Sequence, residues 1–293
     1  MNTISIIIPT YNSSPFIKKA LDSVICNISS NYIYEVLIID DCSDDLVQLE
    51  KIVASIPNTK IIKKKEKSNA AHSRNIGLKK STGNYIFFLD SDDNYLSQAF
   101  EHRIKLHQRH RAGICFGTFL TNDAPNELSI YHSGSMLDYL FLEKGDARTS
   151  TISICREYYK NTDFDNKQNK HQDWGFLIRA EQNAEVIYFD QTPIVNIDES
   201  TNTSRMSARL NLNASTYFIE RYKLSANHMC MFVRRHATLC IKNSDDEAAK
   251  TFRKLLVNRF SQMNTKYKMK AFILYLSLTP VMRPIVKKLL SFR

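Results

Sequence analysis

Four short runs of β-branched and aromatic residues, each followed by a helical pattern, constrain this chain more than any other feature. The first, Ile4-Ser5-Ile6-Ile7-Ile8, is ended by Pro9. Ser14-Pro15 then supplies a cap and a first-turn proline for a helix whose face is Phe16, Ala20, Leu21 and Val24. Val36-Leu37-Ile38-Ile39 is a second strand, with a helix from about Asp44 to Ser55. Thr59 to Ile62 is a third, and Asn69 caps a helix through Ala70, Ile76 and Leu78 that stops by Gly83. Tyr85-Ile86-Phe87-Phe88-Leu89 is the fourth, followed by a helix from about Ser97 to His110. Continuous apolar strands alternating with helices predict a mainly parallel, Rossmann-like α/β sheet covered on both faces.

Open sheets of this kind bind ligands beyond the carboxyl ends of their strands. Polar groups collect at those ends: Thr10-Tyr11-Asn12 after the first strand, Asp40-Asp41 after the second, and Asp90-Ser91-Asp92-Asp93 after the fourth. Farther on, short strands at 115–120, 151–154, 186–189 and 193–197 interleave with helices near 136–143 and 172–182. Past Arg205 the pattern is helical. No linker is evident, so the expected layout is one domain over 1–204 with a helical extension over 205–293.

Composition narrows the class. At 293 residues and 43% hydrophobic content, the chain has ample material for one core. The net charge is +10, but 11 of the 40 Lys and Arg fall between Lys250 and Arg293, where there is no Asp or Glu. The remainder is close to neutral, with 29 basic against 30 acidic residues. The N-terminus lacks the basic and apolar regions of a secretory signal. The longest apolar run, Ala271 to Met282, is too short to span a bilayer. The six cysteines form no Cys-x-x-Cys pair, and reduced thiols in a cytoplasm are expected.

Two carboxylates two residues apart at a strand end, Asp90 and Asp92, suit a hard divalent cation that keeps positions open for phosphate oxygens. The same turn also reads as an acidic helix cap. His171-Gln172-Asp173-Trp174 precedes an apolar stripe of Phe176, Leu177 and Ala180. Asp173 there reads as a helix cap or a first-turn partner of the helix dipole. Trp174, the single tryptophan, is either core or a platform for a ligand ring.

Taken in order, three segments resemble family 2 glycosyltransferases with the GT-A fold: Ile6-Ile7-Ile8-Pro9-Thr10-Tyr11-Asn12, Val36 to Ser43, and Asn69 to Leu78 with Ser81 to Asp93. The resemblance runs over about residues 3 to 200. It implies a donor half to about 112 and an acceptor half from 113 to 204. It implies that Pro9, Thr10, Tyr11 and Asn12 line the nucleobase and ribose pocket, with Asp40 and Asp41 beside them and Asp40 accepting from a uracil imide. Asn69 and Arg74 would lie at the nucleoside or diphosphate. Asp90 and Ser91 would lie near the ribose, with Asp90 also at the metal and Asp92 as direct ligand of Mn²⁺ or Mg²⁺. Asp173 would be the general base of an inverting transfer. Asp93, Gln172, Trp174 and Arg205 would belong to the acceptor side or its mobile loop. Many relatives carry a histidine after the base as a further metal ligand; here none lies between His171 and His228.

The activity so implied is transfer of one hexose or N-acetylhexosamine from a UDP-sugar to a glycan or polyprenyl-diphosphate-linked acceptor, in surface polysaccharide assembly. The Gln-x-x-Arg-Trp motif of processive relatives is absent, which favours single addition. One rival is a non-catalytic nucleotide-sugar-binding scaffold; intact Asp92 and Asp173 weigh against it. Another is a nucleotidyltransferase, whose glycine-rich phosphate loop is missing. No Gly-x-Gly-x-x-Gly, P-loop or Gly-x-Ser-x-Gly motif occurs.

In the basic C-terminus, Phe272, Ile273, Tyr275, Leu276 and Leu278, then Ile285, Val286, Leu289 and Leu290, sit among lysines and arginines at helical spacing. Such helices either lie in an anionic membrane interface or pack on the core with their cations in water. The first reading places the protein peripherally on the inner face of the cell membrane. No nucleic-acid-binding module is matched.

Overall fold

The computed structural model describes residues 2–199 and 210–290 of the 293. Its elements run β1 (Asn2–Thr10), α1 (Ile17–Asn27), β2 (Tyr32–Asp40), α2 (Leu46–Val53), β3 (Thr59–Lys63), α3 (Ala70–Lys80), β4 (Tyr85–Phe88), β5 (Asp93–Tyr95) and α4 (Ala99–His110). There follow β6 (Ile114–Gly117), β7 (Leu120–Thr121), β8 (Ala124–Pro125), α5 (Met136–Phe141), β9 (Ser153–Cys155), α6 (Gln172–Gln182), β10 (Ile187–Asp190) and β11 (Val195–Ile197). Five helices come last: α7 (Leu212–Arg221), α8 (Ala226–Lys242), α9 (Asp246–Arg259), α10 (Thr265–Ser277) and α11 (Met282–Leu290).

The large sheet has the order β10-β6-β9-β4-β1-β2-β3. All its neighbours are parallel except β9, which runs antiparallel to β4 and β6. A mainly parallel sheet flanked by helices is therefore present, as expected. A smaller sheet, β5-β11-β7-β8, is interleaved with it in sequence; β11 falls in the strand expected over 193–197, but the sheet itself was not foreseen. Its strands β5 and β8, two or three residues long, are too short to show a period of two.

Alternation along β1 explains how the sheet is covered. Ile4, Ile6 and Ile8 point to one face and join Ala20, Leu21 and Val24 of α1 in the main core cluster. Each such side chain, fully withdrawn from water, stabilises the fold by about 1.5–3 kcal/mol. Ile7 points to the other face, where Gly77 of α3 rests against it.

Two boundaries differ from the sequence reading. β1 continues through Pro9 to Thr10, with Pro9 opposite Ile39 of β2. Thr10 O accepts from Asp41 N on the β2 side, whereas Ile7 O accepts from Leu89 N on the β4 side. Carbonyls and amides alternate sides along a strand, so the Pro9 nitrogen faces the side on which β4 has already ended and no ladder bond is lost. Helix α1 begins at Ile17 rather than at Pro15, because Ser13 O accepts from both Phe16 N and Ile17 N in a preceding turn.

The chain divides into two compact units, Met1–Met136 with Gly145–Thr201, and Leu137–Lys144 with Asn202–Arg293. The second is helical. Phe141 packs on Phe218 and Phe232, His228 Nε2 meets Asp138 at 2.5 Å, and Arg235 donates to Leu140 O. These contacts tie α5 to the helical unit although it falls within 113–204. Asn211, Ser225 and Asp245 cap α7, α8 and α9 through their side chains.

Candidate functional site

Strands β4, β1 and β2 are adjacent and parallel, so their carboxyl ends open on one edge of the sheet. Thr10 and Asp40 are directly in register there. Asn12 turns the chain away from β1 with φ 51°, a left-handed value that asparagine tolerates better than most residues. That turn lets Asn12 Nδ2 donate to Asp44 at 3.2 Å while Asn12 Oδ1 accepts from Asp44 N at 2.8 Å. Ser91 Oγ and Ser13 Oγ are 2.9 Å apart, joining the segment after β4 to the segment after β1.

The aspartates differ in accessibility. Asp40 is buried, and its two oxygens accept from Ser43 Oγ and Ser43 N. Asp41 is also buried and holds Lys64 at 2.6 Å and Ser68 N at 2.8 Å. Asp93 opens β5, buried, and accepts from Ser150 Oγ. Asp90 and Asp92 keep partial exposure in the turn between β4 and β5. Tyr11 is 44% exposed, and the Lys67 ammonium sits 3.6 Å from its ring centroid.

Helix α3 delivers an arginine to this edge. Asn69 caps it by accepting from His72 N at 3.0 Å, and also donates to Asn166 O. The expected markers Ile76 and Leu78 are only half-buried; the covered residues are Ala71, Ser73, Arg74, Asn75 and Gly77. The reason is polar bracing: Asn75 Nδ2 donates to Phe164 O at 2.8 Å and Asn75 Oδ1 accepts from Phe164 N at 2.9 Å. Arg74, 4% exposed, then donates to Gln172 Oε1 at 2.6 Å and to Asp90 Oδ1 at 2.5 Å. One guanidinium thus links the carboxylate turn after β4 to the first residue of α6.

Asp173 is the next residue of α6. It is part-buried, and its Oδ1 accepts from Trp174 N at 2.9 Å. Burial pushes its carboxyl up to about 6; nearby Asp146 adds to the rise, while Arg148 and Arg74 oppose it. A carboxylate held near neutral pH has the proton affinity that a general base needs. Trp174 is buried; its Nε1 donates to Asp146 at 3.0 Å and its ring stacks on His171 at 4.6 Å.

Residues 145–151 contribute groups that no motif signalled. Arg148 Nε lies 3.3 Å from Asp146, and its Nη2 lies 3.9 Å from Glu199. Burial disfavours the Arg148 cation, but Asp146, Asp173, Glu199 and Asp93 together outweigh it and raise its pKa. Ser150 Oγ accepts from Asp90 N at 3.0 Å while donating to Asp93, so it fixes both ends of the acidic turn. Arg205 and the loop stretch from Ser200 lie outside the described residues.

The possible metal donors are oxygens alone. Among the described residues no three His, Cys, Asp or Glu side chains group closely enough to hold an ion by themselves. The pair Asp90 and Asp92 fits a hard divalent cation whose other positions are filled by phosphate and water; it does not fit a metal that needs a full protein cage.

Known proteins similar to this chain in sequence or in fold are numerous. AmsB of Erwinia amylovora, an amylovoran biosynthesis glycosyltransferase, is 28% identical over 236 residues, 75% of this chain and 77% of AmsB. WfgD of Escherichia coli, a UDP-Glc:alpha-D-GlcNAc-diphosphoundecaprenol beta-1,3-glucosyltransferase, is 30% identical over 40% of this chain and 45% of its own. The crystal structure of S. aureus TarS 1-349 in complex with UDP-GlcNAc superposes with a TM-score of 0.67, covering 96% of this chain and 92% of that one at 18% identity. At that identity the likeness concerns the fold, and the fold is the expected GT-A type. The model of Glycosyl transferase family 2 matches residues 5–179, which takes in most of β1, the acidic turn after β4 and the start of α6. The chain is a glycosyltransferase and belongs to glycosyl transferase family 2.

Proposed function

We propose that the enzyme transfers one hexose or N-acetylhexosamine from a UDP-sugar, with inversion, to a hydroxyl of a glycan or polyprenyl-diphosphate-linked acceptor during surface polysaccharide assembly. The observation that carries this reading is Asp173, a carboxyl raised to about 6 next to the Arg74–Gln172–Asp90 link. Asp173 takes the proton of the acceptor hydroxyl as that oxygen attacks the anomeric carbon. The bond from that carbon to the diphosphate breaks, and UDP departs with its electron pair. Arg74 keeps Asp90 and α6 in one geometry through both events. Tyr11 offers a face to the base, and Thr10 and Asp40 frame the pocket. Asp90 and Asp92 hold Mn²⁺ or Mg²⁺, which supplies neutralisation of diphosphate charge when bound.

The relatives support the donor and acceptor classes. WfgD is named for a UDP-glucose donor, a diphosphoundecaprenol-linked acceptor and a β product. TarS was crystallised with UDP-GlcNAc. AmsB is named for polysaccharide biosynthesis.

Calorimetry with UDP, GDP and CDP, each with and without Mn²⁺, on the wild type and on Asp92→Asn tests the reading. Binding of UDP alone, dependent on metal and lost in the variant, is expected. Binding of none of the three would sink the donor assignment and favour a scaffold without turnover.

A further inference from the structure

The helical unit ends in two helices whose apolar residues face outward. Ten of the fifteen exposed large hydrophobic side chains among the described residues lie between Val257 and Leu289. On α10, Met269, Phe272, Ile273 and Leu276 are spaced 3, 1 and 3 apart and form one stripe along the helix. Tyr267 and Ala271, on the opposite side, are the buried residues of α10. The helix is therefore already packed through one face and displays a second apolar face to water. On α11, which buries no residue, Met282, Ile285 and Leu289 repeat the pattern.

Charge accompanies the stripe. At 100° per residue, Lys266 and Lys270 fall on one flank of it and Lys268 on the other. No acidic residue occurs from Lys250 to the end of the chain. Soluble monomers rarely leave apolar patches of this kind bare. An apolar stripe edged only by cations complements a surface with an apolar interior and anionic headgroups.

Neither helix is long enough to cross a bilayer: α10 has 13 residues and α11 has 9, against the roughly 20 that a span needs. The two are bent by 95°. Arg283 donates to Asp245 O and reaches Asp246, and Lys287 donates to Ser244 Oγ, so α11 is anchored to the turn between α8 and α9 by its polar side.

We propose that α10 and α11 dock in the plane of an anionic membrane, with Phe272, Ile273 and Leu276 among the acyl chains and the flanking lysines at the headgroups. This surface does not depend on the donor chemistry above, so either can fail alone.

Co-sedimentation of the full chain with vesicles of phosphatidylglycerol and phosphatidylcholine tests it, beside vesicles of phosphatidylcholine alone. The wild type is expected to bind the anionic vesicles at least tenfold better. Phe272→Glu with Ile273→Glu is expected to lower that binding at least tenfold. Lys266→Gln, Lys268→Gln and Lys270→Gln together should lower it about 100-fold, at about fivefold per lysine. Ile285→Glu with Leu289→Glu is a second probe of the apolar face, and both glutamate variants should keep the wild-type circular dichroism melt because their altered side chains are exposed. No binding by the wild type overturns the proposal. So does binding unchanged in both glutamate variants, or a dimer in sedimentation velocity that Phe272→Glu with Ile273→Glu dissociates, which would make a second copy the occupant.

Discussion

Arg74 Nη2 donates to Asp90 Oδ1 at 2.5 Å from a side chain almost withdrawn from solvent. The same guanidinium reaches Gln172 through Nη1. Lysine keeps the charge but not the fork, so Arg74→Lys can serve one partner only. Loss of one charge-assisted hydrogen bond costs about 1.5–3 kcal/mol, and kcat/KM should fall about 10- to 100-fold. Circular dichroism separates this from misfolding. A variant with wild-type kcat/KM would remove the link from the catalytic geometry.

The pH profile follows from Asp173. A base must be ionised, and this carboxyl sits at about 6. Log kcat/KM should therefore fall with unit slope as pH drops below about 6. Asp146 raises the value and Arg148 lowers it. Asp146→Asn should move the inflection down, and Arg148→Met should move it up. Shifts in the same direction, or none, would place the titrating group elsewhere.

Asp173→Asn should lower turnover by about 10²- to 10⁴-fold while leaving UDP affinity intact. It should also stabilise the fold, for a reason of sign. The folded carboxyl, near 6, exceeds its ordinary 3.8. Between those values the folded state holds a proton that the unfolded state has lost, so stability declines as pH rises through the window. Above about pH 6 the cost is complete, and an amide does not bear it. The variant's Tm should exceed the wild type's at pH 8, and the gap should close near pH 4. A gap independent of pH would mean that the charge is not the cause.

Much of this site was legible because strand ends leave a composition signal. Asp40 and Asp90 follow apolar runs directly, with Asp92 two residues farther on, and β1, β2 and β4 are adjacent and parallel, which brings them to one edge. Gln172 begins α6 where the stripe of Phe176 and Leu177 predicted a helix. Asp146 and Arg148 were not legible. They act through charge on Asp173, some 25 residues away in sequence, and no period or motif encodes that approach. The covered face of α3 was misread for a related cause. Asn75 earns its burial by bonding the Phe164 backbone, a partner that local sequence does not reveal. The short strands β5 and β8 escaped because two or three residues alone carry no periodicity.

Gly77 fixes how closely α3 approaches the sheet. A Cβ at this position would overlap Ile7 Cγ2 and come within 3.0 Å of Ile7 Cγ1. Ile7 is fully buried in β1 and has little room to yield. Alanine would favour the helix by about 1 kcal/mol over glycine, but overpacking a tight core costs about 1–3 kcal/mol. Relief requires α3 to move outward, and Arg74 lies one turn earlier on the same covered face. Gly77→Ala should therefore show a net loss of up to about 2 kcal/mol, a fall in Tm of up to about 8 °C. It should also weaken catalysis, because Arg74 would leave Asp90. Gly77→Ala with Ile7→Ala, which removes Ile7 Cγ1, Cγ2 and Cδ1 from the contact, should recover part of the lost activity, though not the stability that the Ile7 side chain contributes. A Gly77→Ala protein as stable and active as the wild type would show that the helix seat is loose and that Arg74 is positioned by Gln172 and Asp90 alone.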